Sequence, residues 1–372
     1  MKFTTKRQDF FKALSIVSKI TPTRSTLPIL NSVLIECSDS LINIRSSDLE
    51  SSITTHFKGN VIQPGAVAIE GKLLLSFISE TPSDEIEITV DESYHVTITT
   101  DVGSYNIGGQ NPDEFPSKIS VENVQTLSIE SSIFSRIIQK TTFMASKEDM
   151  KPSLTGILFR SAENQTIAVA TDGHRLIKFL ITKNKDAQNL AGDILIPARF
   201  LNLIAGYLPS DGVIEWMVGE KFVSITIGDT EFISRLIVER YPDFEAVIPT
   251  NNEKEFVIVT NDILASIKRI SLFANKNNNQ ISFHLTNDHL TIETKDSEMQ
   301  RSAVEDFEVE YQNEEIIVGY NCFYLKEIIQ RVDTEKVKFS FNTAISAGLI
   351  TPIDQPENEE ITMLLMPIRL SE

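Results

Sequence analysis

His174 stands two residues after Asp172 in the run TDGHR, where a carboxylate could orient an imidazole as a general base. A catalytic site needs more than that pair. The chain carries no nucleophile elbow, no phosphate-binding glycine loop and no second acid–base cluster. Asp172-Gly173 also reads as a tight turn after a strand at 167–170. His284 and His289 straddle the turn TND at a separation that does not suggest a metal pair, and no cysteine joins them. An enzyme using Asp172 and His174 is therefore the weaker alternative, and no metal or cofactor is expected. An acidic scaffold with no DNA role is a third reading.

The other residues with chemical potential are cations, and their meaning depends on the frame that carries them. That frame repeats three times at a period of about 125 residues, too long for a solenoid and right for whole domains. The first half of each third opens on an amphipathic helix: RQDFFKALSIVSKI, SSIFSRIIQKTTFM and NDILASIKRISLF. The second halves open on GKLLLSFIS, ARFLNLIAGYL and NCFYLKEIIQRV. Each helix leads into runs of period-two alternation, such as Ile86–Thr99, Ile157–Ala170 and Ile281–Glu293, separated by Asn, Asp, Gly and Ser turns. The seams NPDEFPS and RYPDFEAVIP both couple an aromatic residue with proline and acids, as surface connectors do. The expected fold class is α+β, with antiparallel sheets outside and a few helices on one face. Expected domains are 1–123, 124–250 and 251–372.

Composition narrows the partners. The 372 residues carry a net charge of −18, split −6, −2 and −10 over the three thirds. That excludes a broad basic surface of the ordinary nucleic-acid-binding kind. Cys37 and Cys322 lie in apolar runs of different thirds and read as reduced core thiols. No apolar signal core and no run approaching the roughly 20 residues of a membrane span is present, so a cytoplasmic protein without membrane contact is expected.

Against this acidic background the helix faces stand out. Phe10, Leu14 and Val17 fall on one side of the first helix, with Lys12 and Lys19 opposite. Phe134, Ile137 and Ile138 oppose Arg136 and Lys140, and Leu264, Ile267 and Ile270 oppose Lys268 and Arg269. Acids sit mostly in first turns (Asp9, Glu130, Asp262), where the helix dipole accounts for them. Lys72, Arg199, Lys326 and Arg331 extend the pattern, although Glu327 dilutes it. If these faces share a surface, its counterpart is phosphate, contacted without regard to sequence.

The runs TLPIL, TDGHRL, RYPD and MPIRL, in this order from Met1 to Leu370, closely resemble the bacterial sliding clamp, the β subunit of the replicative DNA polymerase III. The resemblance implies three domains per chain, each of two β-α-β-β-β halves, and a head-to-tail homodimeric ring with helices lining the hole. It implies encirclement of duplex DNA, tethering of polymerases and contact with a clamp loader and other proteins bearing a clamp-binding motif. Its partner groove maps onto Leu154, Thr171, Gly173, His174, Arg175 and Leu176, then Pro242 and Val247. The terminal strand adds Leu364, Leu365, Met366, Pro367, Ile368, Arg369 and Leu370. Such a groove suits a short extended peptide bearing Leu and Phe. Ala246 departs from family members that often carry a basic residue there. For DNA the resemblance points to Arg24, Lys72, Lys147 and Arg199, and the helix faces add Lys12, Arg136 and Lys140. For ring closure it points to Tyr105 and Ile107 on one edge and Leu272 and Phe273 on the other.

Overall fold

In the computed structural model, described over residues 1–22, 25–148, 150–162, 165–182 and 192–370, the order strand–helix–strand–strand–strand recurs six times. The six helices are α1 (Arg7–Val17), α2 (Gly71–Glu80), α3 (Ser131–Thr141), α4 (Ala198–Ala205), α5 (Thr260–Ile270) and α6 (Cys322–Ile329). Each starts directly from the strand before it, so apolar spacing and not a long loop sets its buried face. In α1 the buried positions are Phe10, Ala13, Leu14 and Val17, the i, i+3, i+4, i+7 stripe of a surface helix. In α5 the inward set is Ile263, Ile267 and Ile270. Leu264, expected inward, is half-buried, because Ile263, Ser266, Ile267 and Ile270 form the i, i+3, i+4, i+7 stripe and leave Leu264 at its margin.

All strand pairing among the described residues is antiparallel. Contact density divides the chain by sheets rather than by thirds, into Met1–Ile133 with Phe200–Leu236, and Phe134–Arg199 with Ile237–Glu372. In the first unit a 13-stranded sheet joins Ser51–Lys58 to Thr230–Arg235, with Ile53 opposite Phe232. Here α1 packs on α2 and on Ser51–Lys58, and Phe10 lies edge-on to Phe3 and Phe57 at 6.3 and 6.1 Å. In the second unit an 8-stranded sheet joins Arg175–Thr182 to Glu359–Leu365, with Leu176 opposite Leu364, and a 4-stranded sheet lies beside α5 and α6. Phe256 stacks on Phe339 at 4.9 Å, and Phe283 packs at an angle to both. Such ring pairs add about 0.5–1.5 kcal/mol each beyond burial. Cys37 and Cys322 are buried free thiols whose pKa values burial pushes up. No helix among the described residues is long and apolar enough to cross a membrane.

Candidate functional site

The TDGHR run is a turn whose groups are consumed in shaping it. Asp172 Oδ1 accepts from the amides of His174 and Arg175 at 2.9 and 3.0 Å, and Oδ2 accepts from Arg175 Nε at 2.9 Å. Thr171 Oγ1 accepts from Gly173 N and donates to Arg175 O. Gly173 sits at φ +90°, a backbone that side chains other than glycine rarely adopt. Asp172 therefore holds Arg175, not the imidazole of His174, and the general-base geometry is missing. Among the described residues no group of three or more His, Cys, Asp or Glu side chains could hold a metal ion.

Arg175 is the centre of the site. Its guanidinium donates to Asp172, to Glu327 Oε2 at 2.5 Å and to Phe143 O at 3.0 Å. It lies 4.6 Å over the Tyr324 ring and 5.6 Å over Phe143. The His174 and Tyr324 rings are 5.9 Å apart. Tyr324 is held in the first turn of α6, where the Asn321 side chain accepts from the amides of Phe323 and Tyr324. Tyr324 and Phe143 are not among the residues expected from the sequence, and Glu327 figures there only as an acid that dilutes a basic helix face. In NCFYLKEII the three-residue spacing shows that Tyr324 and Glu327 share a helix face, but not that Arg175, 152 residues from Glu327, lies against it.

Beside this turn, Leu176 and Leu364 join Leu158, Ile167, Val169, Leu195 and Phe244 in one apolar cluster, with Tyr241 and Ile248 packed against it. Val247, Pro242 and Met366 are exposed, His174 is exposed and Leu154 is buried nearby. Leu365 points to the other side of the sheet, as strand alternation demands. The terminal segment then changes partners: Met366 N donates to His174 O at 2.8 Å, and Ile368 N donates to Gly319 O at 2.9 Å. Pro367 is half-buried, whereas Arg369 and Leu370 lie at the surface. Gly319 permits this approach, since a Cβ there would meet Leu370 Cδ2 at 2.7 Å and Ile368 O at 2.8 Å. Gly319→Val is therefore expected to lift the terminal segment, speed exchange of the Ile368 amide and cost about 1–3 kcal/mol. Unchanged exchange at Ile368 would count against this pinning.

The cations divide into two groups. Lys12, Lys72, Lys147 and Arg199 are exposed and have no ion-pair partner among the described residues, whereas Arg24 lies outside those residues. Arg136 and Lys140 need correction, because their outward placement on α3 is not what the structure contains. Arg136 Nε donates to both oxygens of Glu359 at 2.7 and 2.6 Å, and Nη1 donates to Asp333 Oδ2 at 2.6 Å. Lys140 is buried and donates to Arg331 O and Asp333 Oδ1. Helical spacing predicted a free face, but acids distant in sequence had already claimed it.

Two sheet edges carry the other expected residues. The stretch 104–108 pairs on one side with His95–Thr99 and has no strand partner on the other among the described residues. Tyr105 there is partly exposed, 4.6 Å from the Phe77 ring, and Ile107 is half-buried. Arg301–Glu308 is an edge strand of the 4-stranded sheet. Leu272 and Phe273, just beyond α5, are 75% and 41% exposed.

The chain matches the description "DNA polymerase III beta subunit" in three consecutive parts: N-terminal domain over residues 1–120, central domain over 128–243 and C-terminal domain over 245–369. A beta sliding clamp of Staphylococcus epidermidis is 26% identical over 379 residues, covering 99% of each chain. The crystal structure of the DNA polymerase III subunit beta of Pseudomonas aeruginosa superposes with a TM-score of 0.92 at 25% identity, covering all of both chains. The sliding clamp of Bacillus subtilis, at 23% identity and the same full coverage, gives 0.93 and shares the fold.

Proposed function

The chain belongs to the DNA polymerase III beta-subunit family, the bacterial sliding clamps, and from that membership we infer that two copies close head to tail into a ring around duplex DNA. It is a non-catalytic processivity subunit that tethers polymerases to the duplex. The observation that carries this is the match of all three domains, in order, along the whole chain.

The physical case rests on topology. A surface that gripped phosphates tightly enough to prevent escape would also resist translation along DNA. A closed ring prevents escape without tight contacts, so a few exposed cations on a body of net charge −18 suffice. We assign phosphate contact to Lys12, Lys72, Lys147 and Arg199, supported by their exposure and free charge, and extend it to Arg24 by resemblance alone. Arg136 and Lys140 are left out because their charges are spent on Glu359 and Asp333.

Ring closure is assigned to the edge bearing Tyr105 and Ile107 meeting the edge flanked by Leu272 and Phe273 of a second copy. Unpaired strand edges next to exposed apolar side chains support it. The partner groove is assigned to the Arg175 turn, the Leu176–Leu364 floor and the terminal segment, taking an extended Leu- and Phe-bearing peptide of polymerases and the clamp loader. Domain limits are placed at 1–123, 124–250 and 251–372, supported by the repeated half-units and the three matched spans. A cytoplasmic location is proposed, supported by two free thiols and a DNA partner.

The deciding experiment loads the protein on nicked circular plasmid and passes it through gel filtration before and after linearisation. Retention on the circle and loss from the linear form is the expected result. Equal retention on both would mean contact binding, and the encirclement reading would fall.

A further inference from the structure

The scaffold of the Arg175 groove is built a second time, in the first unit. Ser47 Oγ accepts from Leu49 N and donates to Ser51 O, both at 3.1 Å, as Thr171 does for Gly173 and Arg175. Asp48 Oδ1 accepts from the amides of Glu50 and Ser51 at 2.9 and 2.6 Å, as Asp172 does for His174 and Arg175. Arg235 N donates to Glu50 O at 2.7 Å, matching Met366 N to His174 O at 2.8 Å. Phe115 shares an apolar cluster with Leu34, as Phe244 does with Leu158. Leu49, at φ +74°, occupies the place of Gly173, although a leucine is strained in that backbone region.

The floor is different. Leu158 lies opposite Val169 in the groove, whereas Leu34 lies opposite Arg45 here. Arg45 is only 9% exposed, and among the described residues it has no hydrogen-bond or ion-pair partner. Its Nε is buried without an acceptor, and its guanidinium lies 5.4 Å from the centroid of Phe115. Burial pushes its pKa down, with exposed Glu36 offsetting part of that. Thr54, directly opposite Arg45 on the next strand and therefore on the same face, has a buried hydroxyl that is also unpartnered. The next residue in that row, Glu231, is already engaged by Lys118 at 2.9 Å and Ser224 at 3.2 Å. Two buried polar atoms without partners, Arg45 Nε and Thr54 Oγ1 on neighbouring strands, are costly unless something completes them.

We propose that this second face is a docking site for an extended acidic peptide, whose Asp or Glu carboxylate binds the Arg45 guanidinium and the Thr54 hydroxyl. Guanidinium and carboxylate match in geometry, and the pairing is strongest where water is excluded. Leu49, in the turn at the end of this hairpin, and Leu27, two residues before the Ile29 that packs on Leu34 and Phe115, are exposed apolar side chains that a bound peptide could use. The choice of a peptide, rather than a free anion, rests on reading the Arg175 groove as a peptide site, since the two share one backbone frame.

The test uses two fluorescein-labelled hexapeptides of the same frame, one carrying Leu and Phe and one carrying Glu in their places, titrated against the full chain and its R45M variant. The Glu peptide is expected to bind wild type, to weaken at least tenfold in R45M and to resist displacement by excess Leu/Phe peptide. R45M should leave the Leu/Phe peptide unaffected and raise Tm by about 2–4 °C, because a partly desolvated cation with a buried, unsatisfied Nε is removed. No binding of the Glu peptide, equal binding to R45M, or displacement by the Leu/Phe peptide overturns the proposal. So does complete competition by inorganic phosphate at the peptide's own concentration, which would mark a free-anion site. If the Leu/Phe peptide alone fails to bind, the groove reading falls while the Arg45 site stands.

Discussion

Arg175→Ala is expected to abolish capture of the Leu- and Phe-bearing peptide, weakening it more than a hundredfold, and to lower the stability of the second unit by about 3–5 kcal/mol. The reason is the number of groups that this one side chain satisfies. It neutralises Asp172, reaches Glu327 and caps the Phe143 carbonyl while lying over two aromatic rings. Truncation leaves the Asp172 carboxylate, mostly buried, facing a void, and frees Tyr324 to move toward His174. Arg175→Lys should recover little, because an ammonium cannot serve three acceptors in the fork geometry of a guanidinium. Retention on circular plasmid should be unchanged, since none of the residues assigned to ring closure is a partner of Arg175 in this network. Peptide anisotropy and plasmid retention, measured on the same preparation, separate the two effects. A variant that binds peptide normally would remove Arg175 from the site.

Arg175 comes with the family resemblance and Asp172 stands beside it in the same run, whereas that Glu327 and Phe143 meet Arg175 is a matter of long range. The turn, its glycine and the apolar stripes of α1 and α3 are local patterns, each fixed by residues within about one turn of helix or strand. Phe10, Leu14 and Val17 fell inward as their spacing requires. The long-range pairings were invisible. Glu359 is 223 residues from Arg136, and Asp333 is 193 from Lys140, so the helical wheel showed two cations where the molecule has a closed ion network. Arg45 is the reverse case. It sits in the alternating strand LINIRSS, where a polar residue at that position reads as solvent-facing, yet the connector bearing Phe115 covers it. The repeat was plain in the sequence, but the difference in floor chemistry between its copies emerged only once the strands were in register.

The α3 network makes the second large prediction, and it is asymmetric. Hydrogen bonds from Lys140 and Arg136 hold the Asp333 carboxyl below its usual pKa, although burial acts in the other direction. Lys140 shifts down as well, because burial outweighs what Asp333 returns. The two partners thus disagree about whether their contact is favourable, and depth decides between them. The Lys140 side chain is 7% exposed against 48% for Asp333, so the lysine bears most of the desolvation cost. Asp333→Asn leaves that buried ammonium without its counter-charge and should cost roughly 2–3 kcal/mol, reduced from the fully buried case by the exposure of the aspartate. Lys140→Met removes the charge and keeps the stem, and should fall within about 1 kcal/mol of wild type. The pH dependence has a definite sign. A carboxyl with a lowered folded pKa stabilises above its ordinary value near 3.8 and loses that contribution as pH falls through the folded value. The gap between wild type and Asp333→Asn should therefore be full at pH 7 and shrink below about pH 4. Urea unfolding, followed by amide exchange in Glu359–Leu365, reads all three proteins, and a Lys140→Met loss as large as that of Asp333→Asn would show the pair itself, rather than the stranded lysine, to be what the fold depends on.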